Sequence, residues 1–292
     1  MGAVAEATSS MRRSLFAVAL LSFAFLAGCA TSPTGRTQFL LVSPEAAIAH
    51  SVPAYLSMVE QLSEEPGLLS DPVLADRIAV ITGRLVAVAV RQYPHTSAWD
   101  WSVALIDDPE TVNAWCMAGG RMGVHSGLIE QLDPTDDELA QVLGHELSHA
   151  IANHTAEQMS LAIAQTLGVV AIAVAAEDEE TADAASAAAE LAIALPNSRA
   201  AETEADRIGI ELAARAGYAP GAAATLWGKM IGLADGRRPP EFLSTHPSPY
   251  RRQETLADLA RAMRPLLPET PPIAREVQIL YAHSLEPSEQ TW

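Results

Sequence analysis

His145-Glu146-Leu147-Ser148-His149 is the stretch on which the reading of this chain turns. Histidines at i and i+4 of a helix project from one face, about one turn apart. Two imidazoles so placed can reach one zinc ion, and the intervening glutamate stands where a carboxylate can take a proton from water on that ion. The pattern fixes only three positions, so its surroundings must carry the rest. Upstream, Thr135-Asp136-Asp137-Glu138 has the form of a capping box, in which the Thr hydroxyl and the Glu carboxylate each satisfy a free backbone N–H. The helix it opens runs through Leu139, Val142 and Leu143 into the histidine pair.

A catalytic zinc site needs a third protein ligand and an open position. The metzincin spacing would put a glycine and a histidine where Ala152 and Thr155 stand, so it fails. His154 lies about 140° around a continued helix from His149 and reads as a surface or core-edge residue. A second helix, capped near Asn197-Ser198 and ending at Gly217, offers acids. On it Arg199, Glu202, Asp206, Gly209 and Ala213 share a face, and the small pair lets another helix approach closely. Glu202 is therefore assigned as third ligand. Asp206, one turn on, is placed to accept a hydrogen bond from a ligating imidazole. Glu204 points roughly the opposite way.

Composition bounds the rest. The chain has 292 residues, is 49% hydrophobic and carries a net charge of −18, which makes phosphate-rich nucleic acid an unsuitable partner. The run Glu177-Asp178-Glu179-Glu180 reads as a solvated loop. Arg12 and Arg13 before an apolar run from Leu15 to Ala27 have the layout of a secretory signal peptide, with Met11 a natural start. The run ends Leu26-Ala27-Gly28-Cys29, which resembles the lipobox of bacterial lipoproteins. That resemblance implies cleavage before Cys29, its acylation, and retention at the outer membrane, since Ala30 rather than Asp follows. Cys116 then has no partner for a disulfide, and it reads as a buried strand residue.

The expected organisation is a signal peptide at 1–28, a lipidated tether at 29–42, a zinc peptidase domain at 43–264 and a Pro-rich tail at 265–292. Within the domain, Asp71-Pro72 starts a helix whose Leu74, Ile78, Ile81, Leu85 and Val88 form a buried stripe. Trp101 to Ile106, Asn113 to Met117 and Arg121 to Val124 read as strands, with a turn or bulge at Gly119-Gly120. Leu161 to Ala176 is apolar and Ala-rich but short for a membrane span, and is expected as a helical hairpin packed near the active site.

The pair His145–His149 and Glu202-Thr203-Glu204-Ala205-Asp206 resembles the gluzincin family of CAAX prenyl proteases and HtpX-like metalloendopeptidases, nearest its periplasmic lipoprotein branch. Asn113-Ala114-Trp115-Cys116-Met117, Gly119-Gly120, Ala216-Gly217-Tyr218 and Ser244-Thr245-His246-Pro247 extend the resemblance from about Asp71 to Arg252, while Ala118 departs from it where a Pro is usual. It implies a zincin-like α/β (α+β), mostly helical domain with a small, mainly antiparallel sheet beside the motif helix. Implied too are one Zn2+ per chain and Glu146 as base. Met117, Ala118, Gly119 and Gly120 would hold an extended peptide. His246 would be a loop histidine that either stabilises an oxyanion or closes the site, and Arg252 would lie near the ligand glutamate or the substrate. The function so implied is a zinc metalloendopeptidase acting on protein or peptide substrates of the cell envelope. It would be anchored to the periplasmic face of the outer membrane through Cys29, with outer-membrane assembly machinery as a partner. Peptide deformylase is the rival that would use Cys116 as ligand, and a lipoprotein chaperone is the rival from another class.

Overall fold

The structure is a computed structural model that describes residues 29–64, 67–175, 198–234, 240–246 and 251–282. The expected signal peptide and the acidic run at 177–180 lie outside the described residues; Leu161 to Ala175, expected in a helical hairpin, belongs to one continuous helix, His154–Ala175. The chain divides into two compact units, residues 1–43 with 156–193, and 44–155 with 194–292.

In the first unit β1 (Cys29–Thr31) and β2 (Thr37–Phe39) pair antiparallel. The expected tether is thus a hairpin at its start. Arg36 donates both arms of its guanidinium to Glu157 (2.7 and 2.6 Å), and Ser160 Oγ accepts from the backbone N–H groups of Leu41 and Val42 at 2.9 Å. Glu157 and Ser160 belong to an apolar helix spanning His154–Ala175, whose Leu161, Ile163 and Leu167 are exposed. Among the described residues no helix is long and apolar enough to cross a membrane.

The second unit carries the site. α1 (Pro44–Glu64) and α2 (Pro72–Gln92) lead into β3 (Ser102–Ile106), β4 (Ala114–Met117) and β5 (Arg121–His125). α3 (Ser126–Leu132) and α4 (Asp136–Ile151) follow; the helix at His154–Ala175, nearly all of it in the first unit, is α5 in chain order. α6 (Arg199–Arg215), α7 (Ala222–Ala234), α8 (Glu241–Thr245), α9 (Arg252–Met263) and β6 (Gln278–Leu280) complete the second unit. The local start signals hold. Asp71 accepts from Leu74 N–H at 2.9 Å, Thr135 and Glu138 close both halves of the capping box, and Ser198 accepts from Ala201 N–H at 3.2 Å.

The domain is mostly helical with a small sheet, as expected, but the sheet's order β4-β5-β3-β6 corrects one detail. Only β4–β5 is antiparallel; β3 pairs parallel with both β5 and β6. Every residue of β3 is buried, because α2 and α4 cover one face and Tyr55 of α1 the other. A strand covered on both faces is the usual setting for parallel pairing. The Pro-rich tail is corrected as well, since residues 278–280 add a strand to the sheet and Val277 and Leu280 are buried in the core. β6 flanks β3, Arg275 N–H donates to Gly83, and Ala282 N–H donates to Leu69. A three-residue strand after four prolines carries too little pattern to announce itself.

α4 and α6 cross where two glycines meet. A Cβ on Gly209 would lie 2.8 Å from the backbone nitrogen of His145, and one on Gly144 would lie 2.9 Å from the carbonyl oxygen of Gly209. This contact lets the acids of one helix reach the histidines of the other. Gly209→Ala must push the helices apart at backbone. An overpacking loss of about 1–3 kcal/mol is expected, read as a lowered urea midpoint with weaker metal retention. An unchanged midpoint would mean the crossing tolerates separation.

Candidate metal centre

α4 presents His145, Glu146 and His149, buried to 5%, 3% and 5% exposure, because the capping box sets the helix phase and Leu139, Leu143 and Leu147 pin its other face into the core. α6 brings Glu202, at 1% exposure, and the segment after α8 brings His246, at 5%. Nε2 of His145 lies 3.1 Å from Nε2 of His149 and 3.4 Å from Glu202 Oε2; Nε2 of His149 lies 3.5 Å from Glu202 Oε1. His246 Nδ1 completes the group, 3.3 Å from His145 Nε2 and 3.1 Å from each carboxylate oxygen of Glu202.

Four ligand atoms converge within 4.8 Å of one another. Donors held at zinc bond lengths in a tetrahedron are about 3.3–3.4 Å apart. The spacings match that figure, and three imidazoles with a carboxylate suit zinc chemistry, so the residues present fit the ion. No sulfur belongs to the cluster, which removes the deformylase arrangement with Cys116 as ligand.

The supports around the cage are charged. Asp206 Oδ1 sits 3.0 Å from His145 Nδ1, as expected, and Arg252 donates to both its oxygens at 2.9 and 2.7 Å. The same guanidinium is 3.3 Å from Glu202 Oε2, donates to the carbonyl of His246, and lies 4.5 Å over the Trp227 ring. Of the two places the resemblance implies for Arg252, the structure puts it at the ligand glutamate, where it holds the two acids. Its donors are spent on them and it is buried to 3%. Burial works against charge on His145, but hydrogen bonds to Asp206 and Glu202 outweigh it and raise its pKa to about 9. Burial also raises Glu202, and the hydrogen bonds from His145 and His246 reverse this, holding it ionised far below the ordinary range. Burial raises Glu146 above the ordinary carboxylate range. His246 Nε2 stands 3.5 Å from Glu146 Oε1, and Phe242 stacks on the His246 ring at 4.4 Å.

The segment expected to hold a peptide spans the end of a strand and a turn. Met117 ends β4, while Ala118, Gly119 and Gly120 make the turn into β5, with φ of 88° and 82° at the two glycines. These left-handed values suit glycine, and Trp101 packs where a Cβ on Gly120 would stand. The strand itself is Ala114–Met117, terminal in the sheet and packed against α4.

His154 is not the surface or core-edge residue that projection along a continued helix predicts, and Glu204, on the side of its helix away from Glu202, meets it. α4 stops at Ile151, and Asn153 takes a left-handed φ of 58°. The chain therefore returns His154 beneath His149, with the two Nδ1 atoms 2.9 Å apart and Glu204 Oε2 3.2 Å from His154 Nε2. Both residues are buried, to 3% and 4% exposure. An Asn shortly past a helical run is a stop signal, and it was the one available hint.

Comparison with known proteins places the chain in a family. Residues 72–260 match the family model described as Peptidase family M48. The chain is 36% identical over 184 residues to the mitochondrial metalloendopeptidase OMA1 of Arabidopsis thaliana, covering 63% of this chain and 36% of that one. It is 31% identical over 218 residues to the beta-barrel assembly-enhancing protease of Escherichia coli K12, covering 72% and 43%. For the mitochondrial metalloendopeptidase OMA1 of Bos taurus the figures are 30% over 235 residues, 76% and 44%. The matches thus span less than half the length of these relatives. With both helices of the cage inside the matched region, the chain belongs to peptidase family M48.

Proposed function

We propose that the chain is a zinc-dependent metalloendopeptidase of the bacterial cell envelope, held at the periplasmic face of the outer membrane through an acylated Cys29, where it cleaves misfolded or misassembled envelope proteins. The observation that carries the catalytic part is the cage of His145, His149, Glu202 and His246 with Glu146 beside it. Family membership supports it, and the likeness to a beta-barrel assembly-enhancing protease of Escherichia coli supports a role in the assembly of beta-barrel proteins. The membrane anchor rests on the Leu26–Cys29 lipobox.

Zinc bound here would supply Lewis acidity that polarises the scissile carbonyl and acidifies water. His145, His149 and Glu202 hold it. Asp206, held in turn by Arg252, orients His145, and hydrogen bonds from His145 and His246 keep Glu202 ionised. Glu146 takes the proton from the attacking water and passes it to the leaving amine. An extended peptide adds to the outer edge of Ala114–Met117 by backbone hydrogen bonds, which run alongside the motif helix. His246 occupies the position a substrate oxygen or water needs, so peptide cleavage requires it to swing away. His246→Ala is then expected to retain zinc and to raise the initial rate on an unfolded protein several-fold; a fall in rate would make it an oxyanion donor instead.

The reading is tested on the purified full chain with unfolded casein. Cleavage should stop with a chelator and return with stoichiometric zinc. In cells, Cys29→Ala should move the protein from the membrane to the soluble fraction, and envelope proteomes with Glu146→Gln should show its substrates accumulating. Casein cleavage that persists in chelator would refute the zinc mechanism.

A further inference from the structure

The two ligand histidines are held in different ways. His145 has a carboxylate, Asp206, directly on its Nδ1. His149 has another imidazole. Its Nε2 stands among the cage atoms, so that nitrogen must keep its lone pair for an ion, and the ring proton then sits on Nδ1. The atom facing that proton is Nδ1 of His154, 2.9 Å away. His154 must therefore accept there and carry its own proton on Nε2, which points to Glu204 Oε2 at 3.2 Å.

We propose that Glu204 and His154 form a positioning relay that locks His149 in the tautomer able to bind metal. This rests on the metal reading above. The opposite proton arrangement would place a proton on His149 Nε2, aimed into the cage and incompatible with an ion. Glu204 excludes it, because a carboxylate accepts from His154 Nε2 and so draws the proton to that side. A neutral acceptor also suits the charge balance. The cage already contains anionic Glu202, and Asp206 is matched by Arg252. An imidazole between Glu204 and His149 polarises the ligand without placing a third carboxylate against it. The arrangement depends on the left-handed backbone at Asn153, which returns His154 under His149. A single helix, α6, thus supplies the ligand Glu202 and, through Asp206 and Glu204, the orientation of both histidines.

The test uses the purified full chain and zinc competed against a fluorescent chelator. Asn puts an acceptor oxygen at the same bond distance from the backbone as Nδ1, so His154→Asn is expected to bind zinc within about threefold of wild type. His154→Leu removes the acceptor and is expected to bind about 10–100-fold more weakly. Equal affinity in wild type and His154→Leu, or equal weakening in both variants, would overturn the relay. Long-range 1H–15N spectra of the zinc-loaded wild type read the same point without a variant. Nδ1–H is expected on His149 and Nε2–H on His154; a proton on His154 Nδ1 would overturn it. Failure of the wild type to bind zinc would instead remove the metal reading, and the relay with it.

Discussion

Glu146→Gln should lose peptide cleavage while keeping its zinc. The side chain is buried to 3%, and its Oε1 accepts no hydrogen bond among the described residues. A buried acceptor left without a donor costs about 1–3 kcal/mol, a cost accepted where the oxygen has a proton to take. Burial lifts its pKa above the ordinary carboxylate range, which brings its basicity closer to that of the water it must deprotonate. Glutamine has the same shape and cannot accept that proton. General-base removal costs about 10²–10⁴-fold, so turnover should fall by at least about a hundredfold with zinc content unchanged. A variant that keeps a tenth of the wild-type rate would transfer the base to another group. In the wild type the base must be ionised. The rate should therefore fall on the acid side through a value above that of a free carboxylate.

Glu202→Ala should cost the metal. Its carboxylate is the one anion in the cage and lies 3.3 Å from the buried Arg252 guanidinium. Without it the three imidazoles remain, but Arg252 faces the cation with nothing between them. Loss of a residue that only orients a metal ligand costs about 10–100-fold in affinity, so loss of the ligand itself should cost at least about a hundredfold. Equilibrium dialysis against a competing chelator reads the loss directly. Zinc retained at wild-type affinity would show that His145, His149 and His246 suffice.

Much of the site was legible because its signals are local. The capping box, the His145–His149 spacing and the shared face of Glu202, Asp206 and Gly209 depend on helical phase alone, and helical phase is set by neighbours within a few residues. Gly209 had been read as the point of close approach, and the structure puts His145 there. His154 shows where this reasoning stops. Projection along an unbroken helix placed it on the wrong side, because one left-handed residue at Asn153 resets the direction of the chain. Glu204 does lie on the side away from Glu202, and it looks misdirected until His154 comes round to meet it.

By itself, then, the sequence determined the ligand types, the helices that bear them and the small residues that let those helices touch. Tertiary structure alone decided the parallel pairing of β3 with a strand from the far end of the chain and the return of His154 beneath His149, where Glu204 meets it. It also brought His246 Nδ1 within 3.3 Å of His145 Nε2 and 3.1 Å of Glu202. The physical reason is distance along the chain. Spacing within one helix is fixed by backbone geometry. Contacts between residues a hundred positions apart are fixed by how the core packs and by where buried charges find partners.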